Sequence, residues 1–209
     1  STNTRKAIED LLNSFETAQR TPSDVRQLNR SINTVTHLVN GPSSSLDIKI
    51  ASSAIEEMSR AFTMFAPFRN VRKVSIFGSA RTTPDSPIYA LTAATAKALA
   101  DHHFMVVTGA GPGIMEAGMV GAGRENSIGV SIRLPFETGA NSVIAGDDKY
   151  VSMRYFFTRK LMLVKESHAF LCMPGGFGTL DETFELLTLA QTAKSVPVPI
   201  VFLEVPGHP

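Results

Sequence analysis

The run Pro174-Gly175-Gly176-Phe177-Gly178-Thr179, followed by Glu182, is where the residue types point most directly to chemistry. An apolar segment from His168 to Met173 leads into it, and a helix-like pattern from Leu180 to about Ala193 leads out. A strand, a glycine turn and a helix start make an anion cradle. With no side chains in the way, backbone N–H groups approach a phosphate, and the helix dipole favours its charge. Glu182 is expected in the first turn of that helix. Acids at such a position gain roughly 0.3–1 kcal/mol from the dipole alone, so by itself Glu182 would need no catalytic explanation. Beside a phosphate cradle, however, a carboxylate also suits acid–base work on a phosphorylated small molecule. Asp181 is expected to serve the dipole, and Glu185 is left without a role.

Two more turns of small residues stand upstream. Phe104–Thr108 reads as a buried strand, Gly109-Ala110-Gly111-Pro112-Gly113 as a turn, and Ile114–Ala122 as a helix. Lys73–Phe77 reads as the first strand, closed by Gly78-Ser79-Ala80-Arg81. In an open parallel sheet these strand ends share one edge, the edge at which ligands bind. Each turn alone is a weak signal. The spacing is G-x-G-x-G, not the G-x-G-x-x-G of dinucleotide folds, and the strand Ser127–Ile132 ends in Arg133 where an acid would bind a ribose. No G-x-x-x-x-G-K-[ST] run exists, so a P-loop is excluded as well.

Together the turns resemble the Lonely Guy (LOG) family of nucleoside-monophosphate phosphoribohydrolases. Its signature P-G-G-x-G-T-x-x-E is matched by Pro174, Gly175, Gly176, Gly178, Thr179 and Glu182. Its upstream G-G-G-P-G-x-M-E is matched from Gly109 to Glu116, with Ala110 in place of the middle glycine. The family's Arg-Lys pair resembles Arg159-Lys160, and the context from Arg154 to Lys160 resembles the longer-chain branch. The likeness covers about residues 71–204.

The resemblance implies hydrolysis of the N-glycosidic bond of a purine nucleoside 5′-monophosphate, a cytokinin ribotide or AMP, giving free base and ribose 5-phosphate without cofactor or metal. Glu182 would stabilise the ribosyl cation and activate water, and Arg159 would hold the ribose 5-phosphate portion. Gly175, Gly176, Gly178 and Thr179 would bind the phosphate. Gly78, Ser79, Gly109, Gly111, Gly113 and Pro174 would complete the binding surface. Glu116 would contact ribose or base or position its loop, and Arg154 and Lys160 would add cations. It further implies a homodimer or higher homo-oligomer with sites near the interface. The label lysine decarboxylase, common among such proteins, does not fit: a pyridoxal enzyme needs a Schiff-base lysine with phosphate and ring-nitrogen partners, and nothing in the sequence assembles that set.

Blander readings stand beside these. Arg159 and Lys160 lie on an apolar helix, Arg154 to Val164, where snorkelling at the surface is common; a guanidinium aimed at the sheet edge would instead offer fork geometry to phosphate or ribose. Phe177 could stack on a base. The Met and Phe residues of 153–162 suit core or dimer contact. The rival function is a non-catalytic nucleotide- or cofactor-binding carrier of the same general fold, which needs the cradle but not both Glu182 and Arg159.

The rest of the chain sets bounds. At 209 residues, 43% of them apolar, it fits one domain with an appendage and can bury a large core. A net charge of +1 speaks against a nucleic-acid surface. The single cysteine, Cys172, excludes an internal disulfide, suits a reducing cytoplasm and, in an apolar strand, reads as a buried thiol. No apolar run reaches a membrane span and no signal peptide is visible. His37, His102, His103, His168 and His208 show no metal spacing. Residues 1–40 look helical and amphipathic through Ile8, Leu11, Leu12 and Phe15, residues 41–45 break the pattern, and 46–66 resume it. From Lys73 onward short apolar runs alternate with amphipathic segments, with a last strand at Val198–Leu203. The expected architecture is an α/β, Rossmann-like open parallel sheet with helices on both faces over residues 71–209, preceded by a helical extension over 1–70. Longer family members continue into another helix, so the resemblance leaves open a truncated C-terminal part.

Overall fold

The structure is a computed structural model that describes residues 6, 10, 21–135, 139–194, 196–205 and 207. The stretch with Ile8, Leu11, Leu12 and Phe15 lies outside the described residues, as does His208. The chain divides into two compact units, Ser1–Ser53 and Ala54–Pro209.

The N-terminal unit holds helix α1, Pro22–Asn40, and the start of α2, Ser45–Phe65. Both beginnings are written in sequence. Thr21 and Asp24 form a capping box with Pro22 at the first helical position, and Ser44 and Asp47 exchange the same pair of bonds ahead of α2. The expected break at residues 41–45 falls between them.

The second unit carries a six-stranded, all-parallel sheet. Its strands are β1 Lys73–Phe77, β2 Met105–Thr108, β3 Ser127–Ile132, β4 Tyr150–Met153, β5 Ala169–Cys172 and β6 Ile200–Phe202, in the order β4-β3-β2-β1-β5-β6. Helices α3 (Pro87–Asp101), α4 (Ile114–Ala122), α5 (Phe156–Glu166) and α6 (Phe177–Gln191) connect them. The inner strands β1, β2, β3 and β5 are short and almost wholly buried on both faces, as parallel strands between helices are, while the edge strands β4 and β6 are partly open. One face packs Phe77, Val107, Val130 and Phe170 against Ala61 and Phe65 of α2, Met162 and Leu163 of α5 and Leu186 of α6. The other packs Val74, Ile76, Val106 and Leu171 against Ala96 of α3 and Ile114 and Ala122 of α4. This is the Rossmann-like α/β fold that the alternating pattern predicts. Among the described residues no helix is long and apolar enough to cross a membrane.

Strands β1 and β3 and helix α4 have the bounds expected from sequence. Other boundaries shift: β2 begins at Met105, β6 spans Ile200–Phe202, and the helix read from Arg154 to Val164 is Phe156–Glu166, which leaves Arg154 outside it. The shift that bears on the site is α6, which begins at Phe177, with Gly176 as its N-cap, not at Leu180. Glu182 is therefore the sixth helical residue, in the second turn. The dipole effect falls off within the first turn, so it does not account for Glu182. Strand β4 and helix α3 were not individually legible.

The strand order fixes where a ligand can bind. The chain winds outward from β1 to β4, then returns to lay β5 on the other side of β1. Beyond the C-terminal ends of β1 and β5 the connections diverge to opposite sides of the sheet, leaving a crevice at the topological switch point.

Candidate active site

The crevice is a cleft of about 760 Å³. Its base is formed where two of the glycine turns meet at the switch point. Ser79 N–H, just after β1, donates to Pro174 O, just after β5, at 3.1 Å. The third turn joins them through Ile114 N–H, which donates to Ser79 O at 3.0 Å. Gly113 has φ +67°, and a Cβ there would stand 2.4 Å from Ser79 O, so the backbones pass too closely for another residue.

The glycines of the signature divide into two kinds. A Cβ on Gly175 would sit 2.2 Å from Thr179 Oγ1, so this glycine clears space for the side chain of the third residue of α6. A Cβ on Gly176 or Gly178 would meet nothing within 4 Å, and both residues line the cleft. Packing does not require glycine at these two positions. Space for a ligand close to backbone does. Gly176 supplies no side-chain cap to α6, and the first N–H groups of a helix have no intrahelical acceptor. The helix start is thus open to an anion from the cleft.

Arg159 and Glu182 meet in the same cleft. Arg159 projects from the second turn of α5, Glu182 from that of α6, and Arg159 Nη1 donates to Glu182 Oε1 at 2.5 Å. Both side chains are largely withdrawn from solvent, at 8% and 12% exposure. The Arg159 Nε donates to Val130 O of β3 at 3.0 Å, so the guanidinium bridges the sheet edge and the carboxylate. Its other nitrogen, Nη2, lies under Gly109, where a Cβ would be only 2.4 Å away. Burial pushes the Glu182 carboxyl above its usual range, and the Arg159 guanidinium acts in the opposite sense.

Gly78, Ser79, Gly109, Gly111, Gly176, Gly178, Thr179, Arg159 and Glu182 are all brought to the cleft wall. Phe177 joins them, 92% exposed. Pro174, Gly175 and Gly113 lie behind the wall, in the tight backbone contacts just described. Three expected residues lie elsewhere. Lys160 bridges α5 to α6 by pairing with Glu185 at 2.6 Å and Asp181 at 3.0 Å. Burial draws its ammonium down, but these two bonds outweigh that and hold it above its usual value. Asp181 is thereby also corrected: it partners Lys160 in the second turn of α6 and does not serve the helix end. Arg154 is exposed and away from the cleft wall. Glu116 is half-buried on α4, on the side of Tyr89, whose hydroxyl is pushed up by burial and then by the Glu116 charge. Cys172 is a buried thiol held above its ordinary range by desolvation.

Sequence reasoning missed the wall built by β3 and β4. Ser131 and Tyr150 share a hydrogen bond of 2.7 Å there, with Ser152 and Arg133 beside them. The available signal was the alternation of Tyr150 to Met153, whose polar members face the cleft while Val151 and Met153 enter the core.

A family model described as "Possible lysine decarboxylase" matches residues 112–208. A protein of Arabidopsis thaliana named "Probable cytokinin riboside 5'-monophosphate phosphoribohydrolase LOG6" is 42% identical over 50 residues, which are 24% of this chain and 24% of that protein. The match thus spans about a quarter of that relative's length. DNA processing protein A from Helicobacter pylori, at 18% identity, superposes with a TM-score of 0.51 over 68% of this chain and 70% of its own, a likeness of fold. The molybdenum cofactor carrier protein of Chlamydomonas reinhardtii, at 20% identity, gives a TM-score of 0.45 over 63% of this chain and 76% of its own.

Proposed function

We propose, on the premise that this chain belongs to the LOG family, that it hydrolyses the N-glycosidic bond of purine nucleoside 5′-monophosphates. The substrates are AMP, cytokinin ribotides or both, and the products are free base and ribose 5-phosphate. The observation that carries the reading is the Arg159–Glu182 pair standing at the open start of α6. A carrier would be served by the cradle alone. It would have no use for a desolvated carboxylate held by a guanidinium beside it.

The phosphate sits at the start of α6, against backbone N–H groups at Gly176 and Gly178 and the Thr179 hydroxyl. This anchors the ribose with C1′ toward Glu182. As the bond to the base lengthens, positive charge grows on C1′ and the ring oxygen, and the Glu182 carboxylate stabilises it. Glu182 then accepts a proton from the water that attacks C1′, the base leaves with the bonding electron pair and takes up a proton from solvent, and Glu182 returns its proton to solvent. Arg159 keeps the carboxylate ionised and aimed, because its own position is set by Val130 O. No cofactor enters this scheme.

The test is product chromatography with AMP and with a prenylated AMP, for the wild type and for Glu182→Gln. Free base and ribose 5-phosphate are expected, with turnover at least roughly a hundredfold lower in the variant, the lower end for loss of a general base. Absence of free base from both substrates would overturn the reading in favour of a carrier.

A further inference from the structure

Helix α2 carries an anomaly. Its core-facing stripe, spaced at three and four residues, is Ala54, Glu57, Ala61 and Phe65, and Glu57 is only 3% exposed. Acids are almost never buried so fully without partners. Among the described residues Glu57 pairs with no cation. Its partners are at the start of α5: it accepts from Arg154 N–H at 2.6 Å, Tyr155 N–H at 3.4 Å and the Thr158 hydroxyl at 2.8 Å.

Helix α5 has no cap of its own. Its N-cap residue is Tyr155, which makes no side-chain capping bond. The stretch Met153-Arg-Tyr-Phe-Phe157 offers none of the Ser, Thr, Asp or Asn that usually serve there. Glu57, about a hundred residues away in sequence, anchors this entry instead: it binds the N–H groups of Arg154 and Tyr155 just ahead of the helix and the Thr158 hydroxyl in its first turn. Helix α5 is also the helix that bears Arg159. The Tyr155 carbonyl accepts Arg159 N–H at 3.2 Å, and it lies 2.8 Å from the Thr158 hydroxyl, whose one proton is shared between it and Glu57. Tyr155, which Glu57 grips by its N–H, is therefore joined by one bond to the residue whose guanidinium must reach both Val130 O and Glu182.

We infer that Glu57 is a positioning residue: by anchoring the entry to α5 from α2, it sets the placement of Arg159 and, through it, the orientation of the Glu182 carboxylate. This rests on the hydrolase reading only for its kinetic consequence. The geometric consequence stands apart from turnover.

The experiment compares wild type, Glu57→Gln, Glu57→Asp and Thr158→Val by AMP kinetics, and follows the Glu182 carboxyl by carbon-13 NMR against pH. That resonance is assigned by its loss in Glu182→Gln. Met105→Ala, a core truncation at the far end of β2 from the cleft, supplies a control that lowers Tm. The charges facing Glu182 are Arg159 and Lys160 from α5 and Asp181 from its own helix, with the Cys172 thiol of β5 nearby. Arg159 and Lys160 share α5 and move with it; of the two, Arg159 is the one bonded to the carboxylate.

In Glu57→Gln, kcat is expected to fall roughly tenfold to a hundredfold, the scale of a misplacement of about 1 Å, with KM for AMP changing far less. The Glu182 titration is expected to move to higher pH, with Glu57→Asp between Gln and wild type and the Met105→Ala control unmoved. If Glu57→Gln does not fold, the ordering of Glu57→Asp and Thr158→Val decides in the same way. A Glu182 titration unchanged across the folded variants, or moved equally by Met105→Ala, overturns the inference. If the wild type releases no base from AMP, the hydrolase reading alone fails and the carboxyl titration still decides this one.

Discussion

Gly109→Ala tests the site from outside its reacting groups. A Cβ at this position would stand 2.4 Å from Arg159 Nη2 and 2.6 Å from Met115 Sδ, whereas ordinary contact begins at 3.4 Å. The thioether is the end of a flexible side chain and can turn away. The guanidinium is held by Val130 O at 3.0 Å and Glu182 at 2.5 Å, so it must yield by about 1 Å and weaken one of these bonds. A hydrogen bond to a charged group is worth about 1.5–3 kcal/mol. At 1.36 kcal/mol per factor of ten, losing the Arg159–Glu182 bond in the transition state costs roughly ten- to two-hundredfold in kcat/KM. Initial rates of adenine release from AMP measure this, with thermal melting to confirm that the fold survives. Methionine at 115 replaced by alanine as well should recover little, because the clash that matters is with Arg159. A folded Gly109→Ala protein with wild-type kcat/KM would show that the guanidinium need not sit where it does.

Because burial raises the Glu182 carboxyl and the scheme uses its ionised form, kcat/KM should rise with pH through an acidic limb lying above the ordinary carboxylate range; a limb at or below that range, in a pH–rate profile, contradicts the assignment. Adenosine should be cleaved at least roughly a hundredfold less efficiently than AMP, since unpaired donors in a closed site cost about 1–3 kcal/mol each, and Thr179→Ala should lower AMP use while barely changing the adenosine rate. Comparable efficiency on both substrates would remove the phosphate from the cradle. The exposed Phe156, Phe157 and Leu161 of α5 and Leu180, Phe184 and Leu187 of α6 support a homodimer; light scattering at micromolar concentration should give twice the chain mass for wild type and the single mass for Phe184→Glu, and a wild-type monomer would refute the assembly.

The motifs were legible in part because some of their residues meet local backbone requirements. Gly113 needs its positive φ, and Gly175 must clear Thr179; such demands recur at fixed spacing and can be read along the chain. The long-range partners were not legible. Nothing near Arg159 in sequence says that it reaches Val130 O and Glu182, or that Lys160 prefers Asp181 and Glu185 to the cleft. The start of α6 was misplaced because Phe177-Gly178-Thr179 has poor helix propensity, and glycine costs about 1 kcal/mol within a helix. Here tertiary contacts override it: Thr179 is buried under Gly175, and Thr183 bonds back to Thr179 O at 2.7 Å. Strand β4 was missed because only four residues alternate.

Ala110, the one departure from the upstream motif that the chain resembles, shows how alanine can stand in a turn suited to glycine. It adopts φ +59°, the conformation for which glycine is suited. The left-handed region costs a residue with a Cβ roughly 1–2 kcal/mol. That Cβ is fully buried in a small cluster with Met119 and Ile144, and one buried methyl group returns about 0.8 kcal/mol. Alanine also restricts the unfolded chain relative to glycine, worth about 0.4–1 kcal/mol. The terms nearly cancel. The turn is further fixed by Ala110 N–H on Thr108 Oγ1 at 3.0 Å and Asn141 N–H on Ala110 O at 2.7 Å. These bonds use the backbone and the neighbours, so the substitution leaves them in place. The methyl points into the protein, away from the cleft that Gly109 and Gly111 line on either side. The altered residue is therefore a packing variation behind the site, and it gives no reason to separate this cleft from the chemistry proposed for it.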